Sequence, residues 1–476
     1  MTVTLTAADV LVIVVYFALV LLIGILAGRR QRGGHHHPGA GEITEFLLAG
    51  RSLTTPVFVM TLVSTWYGGI LGVGEFSYRY GISNWVVQGA PYYVFAAVFA
   101  LLLAKRVRAT NFVTIPDKLQ QSYGKKTALL GALLTFLLMT PAPYVLMIGV
   151  LLQMVSGWDL WICVLLGTAA TTAYLAFGGF RSDVNTDVFE FFLMFLGFSV
   201  IIPFAVVKFG GFEFIRSHVP ALHLTWNGGN PPQFIVVWFF IALWTLVDPS
   251  FHQRCYAAKS GEVAQRGILI SIIFWVIFDA MTATAGLYAR AALPNLDQPV
   301  MAYPMLAELT LPPVAKGLFY VGMLATIMST LNTLTFVSAT TLGRDIVLRL
   351  RDRIGDAGEL RWTRWGLLLT GALSVGLALA IPSVITLWYV VGTAIIPGLL
   401  IPLVTSYFTR LTVKPRFAFA SMLCGWLTAT GWLLAGWPEH SGSAAQYPLG
   451  IEPMYPGMAV SMLVWIFGMM DRKGQE

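Results

Sequence analysis

Between Gly322 and Asp345 lies an apolar stretch in which hydroxyl side chains recur at helical spacing: Thr326, Thr330, Thr333 and Thr341, with Ser329 beside them. Residues three or four apart share a helix face. A face of hydroxyl oxygens without a carboxylate replaces part of the hydration shell of a hard monovalent cation, because hard cations take oxygen ligands. The alternative is close packing of two membrane helices on small residues.

A second stretch, Val57 to Tyr80, carries Gly68, Gly69, Gly72 and Gly74 in seven residues, which weakens a helix in its middle. A broken membrane helix survives where it lines a cavity, and its freed carbonyls are cation ligands. The Gly68/Gly72 spacing also suits helix packing, but Trp66 beside the break and Glu75 beyond it favour a site. An indole near mid-membrane is a platform for a cation. Asp187, with Thr186 beside it, lies deep in another apolar run, where an unpaired carboxylate is expensive. Asp248-Pro249 ends a further run, and Pro249 leaves a backbone carbonyl free. Trp244 precedes it by about one turn. Tyr144, after a Thr140-Pro-Ala-Pro kink, and Trp388 are further pocket candidates. Asp279 is a buried acid without an obvious basic partner, and Arg254 reads as an anchor at the inner interface. No arginine is expected in the membrane interior.

The elements that must position these residues are membrane helices. Of 476 residues 57% are hydrophobic and 11% charged, against about 25% charged in soluble domains. Apolar runs long enough to span fall at about 9–28, 56–80, 84–104, 127–156, 158–178, 186–207, 233–254, 266–289, 314–341, 363–381, 384–409, 417–436 and 453–470, which makes thirteen. The first reads as a span, since no basic segment precedes it and no small-residue cleavage site follows. With the N-terminus outside, 25 of the 30 basic residues fall on the inner side, so the expected orientation is N-out, C-in. The scattered basic residues argue against nucleic acid, and no feature asks for an obligate protein partner. The three cysteines are far apart, with neither disulfide nor metal-ligand spacing. The His35-His36-His37 tract in the first inner loop reads as solvated linker. The run around Pro382 to Pro397 is expected to be interrupted by its glycine and prolines.

Several ordered motifs resemble the solute:sodium symporter family. They are Phe46-Leu-Leu-Ala-Gly-Arg-Ser-Leu53, Gly178-Gly-Phe followed by Thr186-Asp187, Asp248-Pro249 through Gln253-Arg254 and Ala257-Ala-Lys-Ser260, and Ser329-Thr330-Leu through Arg344-Asp345. The resemblance spans roughly the first ten runs. It implies an all-α membrane protein of the LeuT type: a 5+5 inverted repeat with one extra N-terminal and two extra C-terminal helices. The corresponding division is 1–54 for the first helix and linker, 55–207 and 233–410 for the repeats, 208–232 for the outer loop between them, and 411–476 for the last two helices.

It also implies a sodium site with two carbonyls from the broken helix, plus one carbonyl and two hydroxyls from the ninth run. By motif position the latter are the Thr326 carbonyl and the Ser329 and Thr330 hydroxyls. Counting from Gly50 gives the Ser64 and Tyr67 carbonyls, directly before Gly68-Gly69, and these are the expectation. Counting back from Tyr78-Arg-Tyr-Gly81 gives Leu62 and Thr65 instead. Asp187 matches an acid near the sodium path. Thr65-Trp66-Tyr-Gly-Gly69 looks like the choline-transporting branch, which implies a cationic or amine-bearing solute at Trp66, Gly68, Gly69, Glu75, Tyr144, Trp244, Asp248 and Trp388. The expected function is sodium-coupled import of a small organic solute at the cell (inner) membrane, not an enzymatic one. A proton-coupled carrier of the same fold and a solute-binding sensor are the alternatives.

Overall fold

The computed structural model describes residues 3–32, 42–351, 356–437 and 446–473. The histidine tract lies outside them. Among the described residues, the long elements are helices, in the order α1 Ala7–Arg32, α2 Thr55–Trp66, α3 Ile70–Tyr80, α4 Trp85–Ala109, α5 Ile115–Tyr123, α6 Lys125–Leu138, α7 Ala142–Ser156 and α8 Leu160–Phe209. They continue with α9 Pro232–Ile241, α10 Pro249–Ala257, α11 Gly261–Ala292, α12 Ala315–Leu348, α13 Asp356–Ala380, α14 Val384–Ser406, α15 Pro415–Ala435 and α16 Met454–Lys473.

Twelve helical segments among the described residues are long and apolar enough to cross a membrane, and each coincides with one of the thirteen apolar runs. The remaining run, 158–178, contributes Leu160–Ala169 and continues into the next run as the single 50-residue helix α8. The runs that the sequence marks as interrupted divide into two kinds. Two break at their glycines or proline. Tyr67–Gly69 forms one tight turn between α2 and α3, and Asp248, in extended conformation, separates a single turn Trp244–Val247 from α10. Asp248 caps α10, its Oδ1 accepting from the Ser250 and Phe251 amides at 2.7 and 3.3 Å. Thr140-Pro141 similarly divides α6 from α7. The run around Pro397 behaves otherwise: α14 continues through Pro397 and Pro402, so the expected interruption there is corrected. Neighbouring membrane helices tolerate such prolines by satisfying the freed carbonyls.

The hydroxyl-bearing α12 is wrapped on all sides: Thr326, Ser329 and Thr333 have no exposed surface. It meets α8 where Gly197 faces Gly322. A Cβ on Gly197 would stand 2.7 Å from the Gly322 Cα, and one on Gly322 would stand 2.9 Å from the Gly197 Cα. Only glycine admits that approach, and small residues at a crossing let membrane helices touch backbone to backbone. The crossing sets Asp187 and Asp183 of α8 opposite the hydroxyls of α12. At the other end of α2, Leu53 pairs with Ala258 in an isolated bridge through two backbone hydrogen bonds, Leu53 N to Ala257 O and Lys259 N to Leu53 O. The start of the first broken helix is thereby tied to the end of the second.

Candidate ion and solute site

The break after α2 is shaped by what stands against it. A Cβ on Gly68 would lie 2.1 Å from the Thr330 Oγ1, and one on Gly69 would lie 2.1 Å from the Trp388 Cζ2. Glycine is required here for close approach, beyond its weak helix propensity. Through that gap Thr330 Oγ1 donates to the Thr65 carbonyl at 2.5 Å and, less closely, to the Thr326 carbonyl at 3.4 Å. Thr65 lies in the last turn of α2, where carbonyls lose their intrahelical partners. The carbonyl that meets α12 is therefore that of Thr65. Of the other pair, Ser64 turns its hydroxyl back to the Thr61 carbonyl at 3.3 Å, and the Tyr67 phenol donates to the Trp275 carbonyl at 2.8 Å. The Thr326 hydroxyl bonds back to the Gly322 carbonyl.

The other hydroxyls of α12 face carboxylates. Ser329 Oγ donates to Asp187 Oδ1 at 2.6 Å, and Thr333 Oγ1 donates to Asp183 Oδ2 at 2.6 Å. Asp187 Oδ2 accepts from the Thr61 hydroxyl and from Arg254 Nη2, the latter at 3.0 Å. This corrects two expectations. Arg254 is no interfacial anchor: it has no exposed surface, and the membrane interior does hold an arginine. Asp187 is therefore paired. The guanidinium also donates to the hydroxyls of Thr61 at 2.9 Å, Thr65 at 2.5 Å and Thr333 at 3.2 Å. A fork of donors suits a ring of oxygens as an ammonium would not. The available signal was Asp187 itself: a carboxylate at that depth demands a cation, and Arg254 lies in α10, less than two turns past the break at Asp248.

Beside this cluster a cavity of ≈ 110 Å³ is walled by Trp66, Tyr67, Tyr92, Tyr144, Trp244 and Trp388. Thr65, Gly69 and Thr330 reach into its lining, so the cavity adjoins the junction of the broken helix with α12. Trp66 is held edge-on by Tyr92 and Phe251, with ring centroids 5.1 and 5.3 Å away. Polar groups come from Gln88, Thr140, Ser250, Asp248 and Asp279, and among the described residues no Arg, Lys or His lines it. Asp279 also accepts from the Tyr93 phenol.

Among the predicted solute residues, Trp66, Gly69, Tyr144, Trp244, Asp248 and Trp388 meet at this cavity; Gly68 lies under Thr330 instead. Glu75 is not in the lining and pairs with Arg79 at 3.0 Å. The sequence reading missed Gln88, Tyr92 and Ser250, which carry no local signal. It found Asp279 as a buried acid but gave it no place.

Two broken helices meeting a fully buried polar helix around a central cavity define a secondary transporter with alternating access. The solved structure of a Na+-coupled sialic acid symporter in its substrate-bound outward-open state has this fold, with a TM-score of 0.77 at 16% identity over 98% of this chain and 97% of that one. Mhp1, a nucleobase-cation-symport-1 family transporter, follows at 0.60 and 11% identity. Residues 46–425 match the Sodium:solute symporter family, and the chain belongs to that family. It is a multi-pass membrane transporter. The Sodium/pantothenate symporter of Escherichia coli is 28% identical over 96% of this chain and 95% of that one. The High-affinity choline transporter 1 of Drosophila melanogaster is 26% identical over 80% of this chain and 64% of its own length. The chain thus spans less than two thirds of the fly protein.

Proposed function

We propose that this protein imports a small, cationic or amine-bearing organic solute across the cell membrane by symport with sodium. One observation carries the reading: the Thr330 hydroxyl reaches the Thr65 carbonyl at the wall of the aromatic cavity, so one ion there touches both the broken helix and α12. Sodium takes the Ser329 and Thr330 hydroxyls and the Thr326 and Thr65 carbonyls, with the Leu62 carbonyl nearly one turn before. This pair replaces Ser64 and Tyr67 as the preferred carbonyls, and Asp187 balances the charge. Oxygen donors without sulfur or nitrogen fit a hard cation.

Binding sodium fixes the break and therefore Trp66, Tyr67 and Gly69, which line the solute cavity. Each ligand then raises the affinity for the other by the same factor. Asp248 and Asp279, the aromatic walls and the lack of a lining base support a positively charged solute. The N-out, C-in orientation and the repeats 55–207 and 233–410 belong to the same proposal.

The test is thermal stability of purified protein in sodium against potassium, with a solute panel, beside Thr330→Ala. A ligand that binds the folded state stabilises by RT ln(1 + [L]/Kd). The expected result is a sodium-specific shift that is lost in Thr330→Ala and enlarged by an ammonium-bearing solute. No difference between sodium and potassium refutes sodium coupling, and enlargement by carboxylates or sugars alone refutes the solute class.

A further inference from the structure

Arg254 joins the same three elements that a sodium ion would join. Its terminal nitrogen holds Thr61 and Thr65 of α2, Asp187 of α8 and Thr333 of α12. Asp187 is shared: its Oδ2 faces the guanidinium and its Oδ1 faces Ser329, a proposed sodium ligand. Two cations on one buried carboxylate repel each other, and an arginine does not shed its proton. The guanidinium therefore has to loosen when sodium arrives. A second acceptor stands one helical turn away. Asp183 lies on the same face of α8, and its Oδ1 finds no donor among the described residues. Thr333 already touches both, accepting from Arg254 and donating to Asp183.

We propose that Arg254 is an internal counter-cation that competes with sodium for Asp187, holding the carboxylate between transport cycles and moving toward Asp183 when sodium binds. This inference rests on the sodium reading above and gives the site a built-in means of release. When sodium leaves, the guanidinium returns to Asp187, so the buried acid is never left without a cation and the ion is not trapped by an uncompensated charge.

The test measures the sodium concentration for half-maximal stabilisation, and the rate of radioactive sodium washout, on full-length protein in nanodiscs. Arg254→Gln removes the competitor and is expected to lower half-saturating sodium about tenfold while slowing washout. Arg254→Lys keeps the charge but replaces the fork by a point donor, so it shifts both readouts the same way by a smaller factor. The Lys variant carries the test if the Gln variant does not fold. Unchanged or weakened sodium binding in these variants overturns the proposal, because a purely structural arginine loosens the site when removed. Wild-type protein separates the two readings. A sodium-specific shift there with no tightening in the variants sinks only the counter-cation, whereas no shift sinks both.

Discussion

In the proposed mechanism Thr330 is the residue through which ion and solute are coupled. Its hydroxyl reaches the backbone carbonyl of Thr65 beside the break, and it lies at the cavity wall. Thr330→Ala removes a proposed sodium ligand and is expected to weaken sodium binding roughly tenfold or more; in the ion-free protein it also leaves the Thr65 carbonyl without its donor. Thr330→Ser keeps the oxygen and is expected to restore most of that loss in the same sodium titration; failure of Ser to rescue would show that the methyl, not the hydroxyl, matters. Asp279 tests the solute half of the site. Asp279→Asn is expected to raise half-saturating concentrations of an ammonium-bearing solute about tenfold. A neutral isostere should bind both proteins alike in competition assays, and equal weakening of both would place Asp279 in the framework rather than at the solute. The hydroxyl spacing alone suits helix packing as well as an ion site, and only the family resemblance singled out Ser329 and Thr330 as ligands. Arg254 was not legible: residues after Pro249 read as the end of a span, and only the path of α10 past α8 shows that the guanidinium turns inward.

The broken helices show where sequence reads geometry well and where it does not. Four glycines announced that α2 and α3 would part, and Asp248-Pro249 announced the second break. The register of the break was less legible, because a shift of two residues, about half a helical turn, separates Ser64 and Tyr67 from Leu62 and Thr65. The packing of Gly68 under Thr330 brings the Thr65 carbonyl to α12 and supports the second pair, and no local pattern reports that contact. Prolines misled at α14, where the surrounding helices keep Pro397 and Pro402 inside one continuous element. Gly68→Ala places a methyl 2.1 Å from the Thr330 oxygen, so the two helices must separate or the threonine must turn away. Sodium-dependent stabilisation is expected to vanish even if the protein folds. Gly322→Val acts farther off: it pushes α12 from Gly197 of α8 and lengthens the Ser329–Asp187 contact. Overpacking of this kind costs about 1–3 kcal/mol. Preserved sodium binding in Gly322→Val would mean that the crossing does not set the site.

For the whole molecule, alternating access needs contacts that open and close at one end, and α5 carries candidates for them at the end expected to face the cytoplasm. Asp117 of α5 accepts at 2.9 Å from Arg344 of α12 and at 2.5 Å from Arg349 just past its end, while Arg349 and the Thr114 hydroxyl also hold Asp345. A small cavity lined by Thr114, Ile115, Pro116, Tyr256, Thr340 and Thr341 lies on the same side, between this cluster and the second broken helix. The pairs lock α5 onto the helix that carries the proposed sodium ligands, so ion binding and inner closure share one element. Burial raises the Asp117 carboxyl, but Arg344 and Arg349 outweigh it and hold it below its ordinary 3.8. A depressed carboxylate contributes its stability above the unfolded value and loses it only as pH falls through the lower folded one. The Asp117 pairs are therefore expected to persist from neutral pH down to about pH 4. Asp117→Asn removes the α5 carboxylate at every pH and leaves Arg344 and Arg349 with Asp345 alone as their acid in the cluster. With a cysteine at position 341 in a background without the native thiols, Asp117→Asn is expected to raise maleimide labelling about tenfold, a population shift of about 1.4 kcal/mol. Sodium should reduce labelling in both proteins if ion binding favours inner closure. Equal labelling of the variant and its parent would show that the cluster is a static brace, and the inner gate would have to be sought elsewhere along α12.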